Sequence, residues 1–197
     1  MFHRGFKTWA EQTSARVRQQ LKVSPSSALN PNQLAAILGV SILTPEELSE
    51  LPTNVRHRLL KQYTDDWSAI TVTDGRNHLI VMNSAHPATR QNSSVAHELA
   101  HILLGHEPSM MFMTPSSGMA IRTHNEEQEE EANWLSGCLL LPREALLGIR
   151  RRGLSDKVAC SEYGVSPAML RFRFNMTGVD VQLRRAGKPY SGSFRRR

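Results

Sequence analysis

Two histidines and a glutamate stand at His97, Glu98 and His101, in the order H-E-x-x-H. On a helix, residues four apart share one face, so the two imidazoles could hold a single metal ion. Glu98 then falls beside them, where a carboxylate could take the proton of a water at that ion. The bland alternative is a pair of surface histidines flanking a surface glutamate. The metal chemistry also needs a third protein ligand and one open position. The longer pattern H-E-x-x-H-x-x-G-x-x-H does not continue here. Leu104 occupies its glycine position, Glu107 occupies its histidine position, and His106 is displaced by one. A carboxylate from a later helix is the other solution. The run Glu126, Glu127, Gln128, Glu129, Glu130, Glu131 offers several, although a helix dipole alone favours acids at an N-terminus. Leu135 and Leu139 mark the inward side of that helix. Glu131 stands one turn before Leu135 and Glu129 one turn before Asn133, which leaves the choice open.

These residues need two helices to position them. Val95, Leu99, Ile102 and Leu103 recur at helical spacing, which predicts a helix over 89–104 closing at Gly105, with both histidines off the apolar stripe. A second helix is expected over 125–141, ended before Pro142. Upstream, Trp9, Thr13, Val17 and Leu21 predict a helix over 8–21. Asn30-Pro31 opens a second, which ends at Gly39, and Val40 to Leu43 is a short strand. Thr44-Pro45-Glu46-Glu47 is expected to start another short helix, and 55–63 to form one more. Alternation over 67–73, the turn signal Asp74-Gly75 and the apolar run 78–82 predict a β-hairpin. The stretch 108–124 carries Met110, Met111, Met113 and Met119, and suits a flap over a cleft or a loop packed on the core. A helix is expected over 142–152. Two short helices should flank Gly164-Val165-Ser166, with Val158, Ala159 and Tyr163 inward on the first and Met169, Leu170, Phe172 and Phe174 packed on the second.

Composition limits the class. The chain has 197 residues, 40% hydrophobic and 21% charged, which suits a folded globular protein and excludes global disorder. No apolar run approaches a membrane span and the N-terminus reads without a secretory core, so a cytoplasmic location is expected. Cys138 and Cys160 have no metal-ligand spacing and read as small buried residues in a reducing compartment. The six basic residues from Arg184 to Arg197, with no acidic ones among them, account for the whole net charge of +6. A mobile basic tail could touch nucleic acid nonspecifically, or serve only as a solubilising end.

Taken together, several stretches resemble the ImmA/IrrE metallopeptidases. They are Arg4-Gly5-Phe6-Lys7 with Trp9; Leu34-Ala35 with Leu38-Gly39-Val40; Trp67-Ser68-Ala69; and Arg90-Gln91 followed by Val95 through His106. Glu129 with Ala132-Asn133-Trp134-Leu135, Leu139-Leu140-Leu141-Pro142, and Tyr163-Gly164-Val165-Ser166 with Met169, Leu170 and Arg171 complete the match. The resemblance runs over about residues 4–178. It implies an α+β, mostly helical zincin-like fold with a small antiparallel sheet and a helix-turn-helix-like C-terminal end. The corresponding division is a metallopeptidase domain over 1–152, packed helices over 153–180 and a basic tail over 181–197. It implies Zn2+ held by His97, His101 and Glu129, with Glu98 as general base. Glu131 and Glu130 stay as alternative ligands, and Asn133 is a group that could bond to a ligand from outside. It further implies endopeptidase activity on a helix-turn-helix repressor in phage-like or stress regulation.

Two other readings compete. A DNA-binding regulator would use residues 154–177, with Arg171, Arg173, Arg184 and Arg185 on phosphates. A non-catalytic version of the peptidase fold would only bind a repressor. The donor that would stabilise an oxyanion is unassigned among His124, His106 and the tyrosines.

Overall fold

The computed structural model describes residues 2–74, 77–106, 111–113, 120–122 and 125–187, with only the backbone of 111–113 and 120–122. The flap expected over 108–124 falls mostly outside these, as do His124, Tyr190 and the end of the basic tail.

The chain opens with α1 (Phe6–Gln20), whose buried face is Ala10, Thr13, Ser14 and Val17. The inward stripe is thus shifted by about one residue from Trp9, which packs at the edge of the core. In α2 (Pro31–Ile37) the Asn30 side chain accepts the Asn32 amide and Pro31 fills the first turn, as N-terminal capping requires. Then come β1 (Val40–Leu43), α3 (Thr53–His57) running into a π-helical turn (Arg58–Gln62), β2 (Ala69–Thr73) and β3 (His78–Met82). Residues 44–50 form turns, where a helix was expected. The Glu47 carboxylate accepts the Thr44 amide, which closes the turn locally.

The hairpin of β2 and β3 forms as expected, but its sheet is mixed. The strand order is β1-β3-β2, with β3 central and β1 parallel to it. Hydrophobic alternation does not distinguish a parallel from an antiparallel neighbour, so the expectation of an antiparallel sheet is corrected here. Central Ile80 is fully buried. A second, two-stranded antiparallel sheet joins β4 (Met111–Met113) and β5 (Ala120–Arg122).

The two long central helices are α4 (Ala88–Leu104) and α5 (Glu126–Leu140). They pack through Val95, Leu99, Ala132, Leu135 and Leu139, all 1% exposed or less. Next to α5, the Ser14 hydroxyl donates to the Cys138 carbonyl at 2.7 Å, and buried Arg18 donates to the Leu139 carbonyl at 2.8 Å. Four further helices follow: α6 (Arg143–Arg151), α7 (Asp156–Tyr163), α8 (Pro167–Thr177) and α9 (Val179–Arg185). The last takes up the first residues assigned to the tail and buries Leu183. Val158 and Phe172 are exposed rather than inward, although the Phe172 ring meets the Trp134 ring edge-on.

The C-terminal helices share a core with the centre of the molecule: Ala96, Leu140 and Leu141 pack with Leu146, Ile149, Leu170 and Phe174. Arg173 is wholly buried, donating to the Leu141 carbonyl at 2.9 Å and to Glu11 at 2.6 Å. The α7–α8 turn is fixed to α4, where Asn92 donates to the Gly164 carbonyl at 3.1 Å. Among the described residues no helix is long and apolar enough to cross a membrane.

Candidate metal centre

α4 carries His97, Glu98 and His101 in its last turns because Val95, Leu99 and Ala100 commit the opposite side to the core. The first turn of α5 is fixed by Asn125, whose side chain accepts the Glu127 and Gln128 amides. Negative charge there is favoured by the helix dipole. Packing of the two helices brings Glu129 to the histidines. Its Oε2 lies 3.1 Å from His97 Nε2, its Oε1 lies 3.7 Å from His101 Nε2, and the two Nε2 atoms are 3.0 Å apart.

That triangle can be tested against a metal. A tetrahedral Zn2+ with ligand bonds of about 2.0–2.1 Å separates its ligand atoms by about 3.3 Å. The separations here, taken to the nearer Glu129 oxygen for each histidine, lie close to that value, and no other group of described His, Cys, Asp and Glu residues converges in this way. Two imidazole nitrogens and one carboxylate oxygen form a donor set suited to zinc and to other divalent transition metals. The side chains are 21%, 17% and 22% exposed, so the site is open on one side.

Glu98 is buried at 6% exposure. Its Oε2 accepts a hydrogen bond from the Thr71 hydroxyl at 2.5 Å. Thr71 is the functional candidate that sequence reading missed. Strand alternation places Ala69 and Thr71 on one face of β2, and α4 covers that face, but nothing in the sequence pairs this threonine with that glutamate.

Beside these groups runs a cleft walled by Trp67 to Ile70 at β2, by Ser93 and His97 of α4, by Glu129 and Asn133 of α5, and by Met169 of α8. Asn133 therefore lies at the cleft, next to Glu129 and exposed. Glu130 is exposed too. Glu131 lies apart from the triangle, 3.2 Å from His106 Nε2. His106 turns to His101 and Glu131, so both of its ring nitrogens are engaged, which removes it from the oxyanion candidates. Tyr163 leaves that group as well, since its hydroxyl donates to the Ser26 carbonyl at 2.6 Å, and so does exposed Tyr63.

Residues 48–175 match the family model of the IrrE N-terminal-like domain, Peptidase_M78. The chain belongs to that family. The match takes in the hairpin, both central helices and most of α8, so membership covers every element that walls the cleft. No curated protein matches the chain. As a member of a peptidase family with a His-His-Glu cluster, the protein carries a site that fits a metal ion.

Proposed function

We propose that the protein is a zinc-dependent endopeptidase, with His97, His101 and Glu129 as ligands and Glu98 as general base. The observation that carries this reading is the convergence of three ligand atoms beside a buried, hydrogen-bonded glutamate. When bound, the ion would acidify a water and polarise the scissile carbonyl. Glu98 would accept the proton of the attacking water and deliver it to the leaving amine. Thr71 would hold the Oε2 side of that carboxylate, so the base meets the cleft in one orientation.

The edge of β2 supports an extended polypeptide as substrate. Ladder bonds close at Ser68–Asn83 and Asp74–Asn77. By antiparallel alternation, Ile70 and Val72 direct their backbone groups to β3, while Ala69 and Thr71 direct theirs outward. No strand pairs with that outer edge among the described residues. A segment added there would run past Glu98, as strand addition allows. We assign a helix-turn-helix repressor as the protein cleaved, on the strength of the resemblance to the ImmA/IrrE metallopeptidases, and a cytoplasmic location to match.

Buried Arg173 and cleft-lining Met169 weigh against a DNA-reading role for α8. The deciding experiment compares the zinc-loaded protein with Glu98→Gln on a helix-turn-helix repressor from the same genome. Discrete fragments are expected from the wild type and none from the variant. Equal outcomes with both proteins would reject proteolysis, and failure of the wild type to take up zinc would reject the site.

A further inference from the structure

Behind the ligand triangle stands a second pair of titratable side chains that the reaction itself does not use. Gly105 closes α4 in the left-handed region, at φ +65°. The chain reverses there, and the His106 amide donates back to the His101 carbonyl at 3.1 Å, as in a Schellman closure. This turn folds the His106 imidazole against that of His101, with the two Nδ1 atoms 2.9 Å apart. His106 Nε2 in turn faces Glu131 Oε2 at 3.2 Å. Both side chains are largely buried, His106 at 7% and Glu131 at 15% exposure.

Metal ligation by His101 would set the direction of each bond in this chain. If Nε2 of His101 is to present its lone pair to a metal, the single proton of the neutral ring sits on Nδ1. The Nδ1 of His106, 2.9 Å away, is placed to accept that N–H, and it accepts only if His106 carries its own proton on Nε2. That proton points at a carboxylate. Glu131, His106 and His101 thus form one aligned relay that ends on the ligand atom. Glu129 and Glu131 leave α5 about 200° apart. One enters the triangle, and the other braces the histidine behind it.

We propose that His106 and Glu131 are positioning residues that fix the tautomer and ring orientation of His101 and so set the affinity of the site for its metal. This rests on the reading of His97, His101 and Glu129 as ligands. Partners of this kind typically change metal affinity by 10- to 100-fold when removed.

The test uses the full chain with Zn2+ and Co2+, titrated against a chromophoric chelator. His106→Phe and Glu131→Ala are each expected to weaken binding 10- to 100-fold. Glu131→Gln keeps an acceptor oxygen for the imidazole N–H and should recover most of the loss. Glu130→Gln, a substitution at an exposed neighbour that removes the same charge, should leave affinity within about twofold of wild type, well inside the effect of a lost partner. A long-range proton–nitrogen spectrum of the zinc-loaded wild type supplies a readout that does not depend on the variants folding. His106 is expected as the Nε2–H tautomer and His101 with its proton on Nδ1. Unchanged affinity in both His106→Phe and Glu131→Ala, or a His106 proton found on Nδ1, would overturn the proposal while the ligand assignment stood. A wild type that binds neither ion would instead remove the ligand assignment itself.

Discussion

Thr71→Val isolates the contact that would orient the proposed base, Glu98. Valine keeps the volume and β-branching of threonine, so β2 retains its packing on α4 while the hydroxyl donor to Glu98 disappears. A hydrogen bond to a charged group contributes about 1.5–3 kcal/mol, and Glu98 at 6% exposure has little water to replace it. Fully expressed in the rate, that loss is about 10- to 160-fold. The expected fall in kcat/KM is about tenfold, at the lower end of that range. Thr71→Ser restores a hydroxyl and should recover most of the rate. The assay is initial-rate cleavage of a repressor substrate, with zinc content measured on each protein. Zinc content should not change, because Thr71 touches the base and no ligand. Wild-type cleavage by Thr71→Val would refute the argument that this bond positions Glu98. Loss of zinc in Thr71→Val would show that the strand supports the ligands instead.

Glu129→Ala removes the only carboxylate in the triangle and is expected to lower zinc occupancy to near zero on dialysis, with both histidines still in place; retained stoichiometric zinc by elemental analysis would move the ligand elsewhere. Glu11→Ala takes away the partner of wholly buried Arg173 and should cost about 3–5 kcal/mol of stability, read from the denaturant midpoint, because an unpaired buried charge remains. Burial pushes the Cys138 thiol up to about 12 and raises that of Cys160, so at pH 8 both stay protonated in the native protein; alkylation followed by mass spectrometry should label Cys138 only after unfolding. Gly164→Ala meets two obstacles, a φ of +61° and a Cβ that would sit 2.6 Å from Asn92 Nδ2, and should lower thermal stability by about 1–3 kcal/mol as the α7–α8 turn shifts.

Sequence reading succeeded where a single periodicity dominated. Val95 and Leu99 define the inward side of α4 and, by exclusion, the direction of His97 and His101. The hairpin was readable because Asp74-Gly75 interrupts two apolar runs. Reading failed where a partner lies far along the chain. Thr71 and Glu98 are joined only by helix-on-strand packing, and β1 joins the sheet in parallel without leaving a mark on its own pattern. The acidic run of α5 could not be resolved because two of its members, on different sides of the helix, both reach histidines, Glu129 those of α4 and Glu131 the one just beyond its end. Glu131 does face the core side, as its spacing to Leu135 suggested, but it faces His106. The helix expected after Thr44 stops at one turn: the Glu47 carboxylate caps the Thr44 amide as at a helix start, but no apolar face follows to carry it on.

The C-terminal end shows how a familiar local pattern can serve a different purpose. Ser166-Pro167 caps and starts α8 just as a recognition helix would begin. A DNA-reading helix must present its first turns to solvent and its arginines to phosphates. Here Met169 walls the cleft, Leu170 is fully buried, and Arg173 spends its guanidinium on Glu11 and the Leu141 carbonyl. Asn92 holds the preceding turn to the same helix that carries His97 and His101. The second obstacle at Gly164 follows from that closeness, because a side chain there would displace the Asn92 amide that donates to the Gly164 carbonyl. A rigid connection between α8 and the metal-site helix is what a peptidase needs to keep one wall of its cleft at a fixed distance from Glu98. A DNA reader needs the opposite, a helix free to enter a groove.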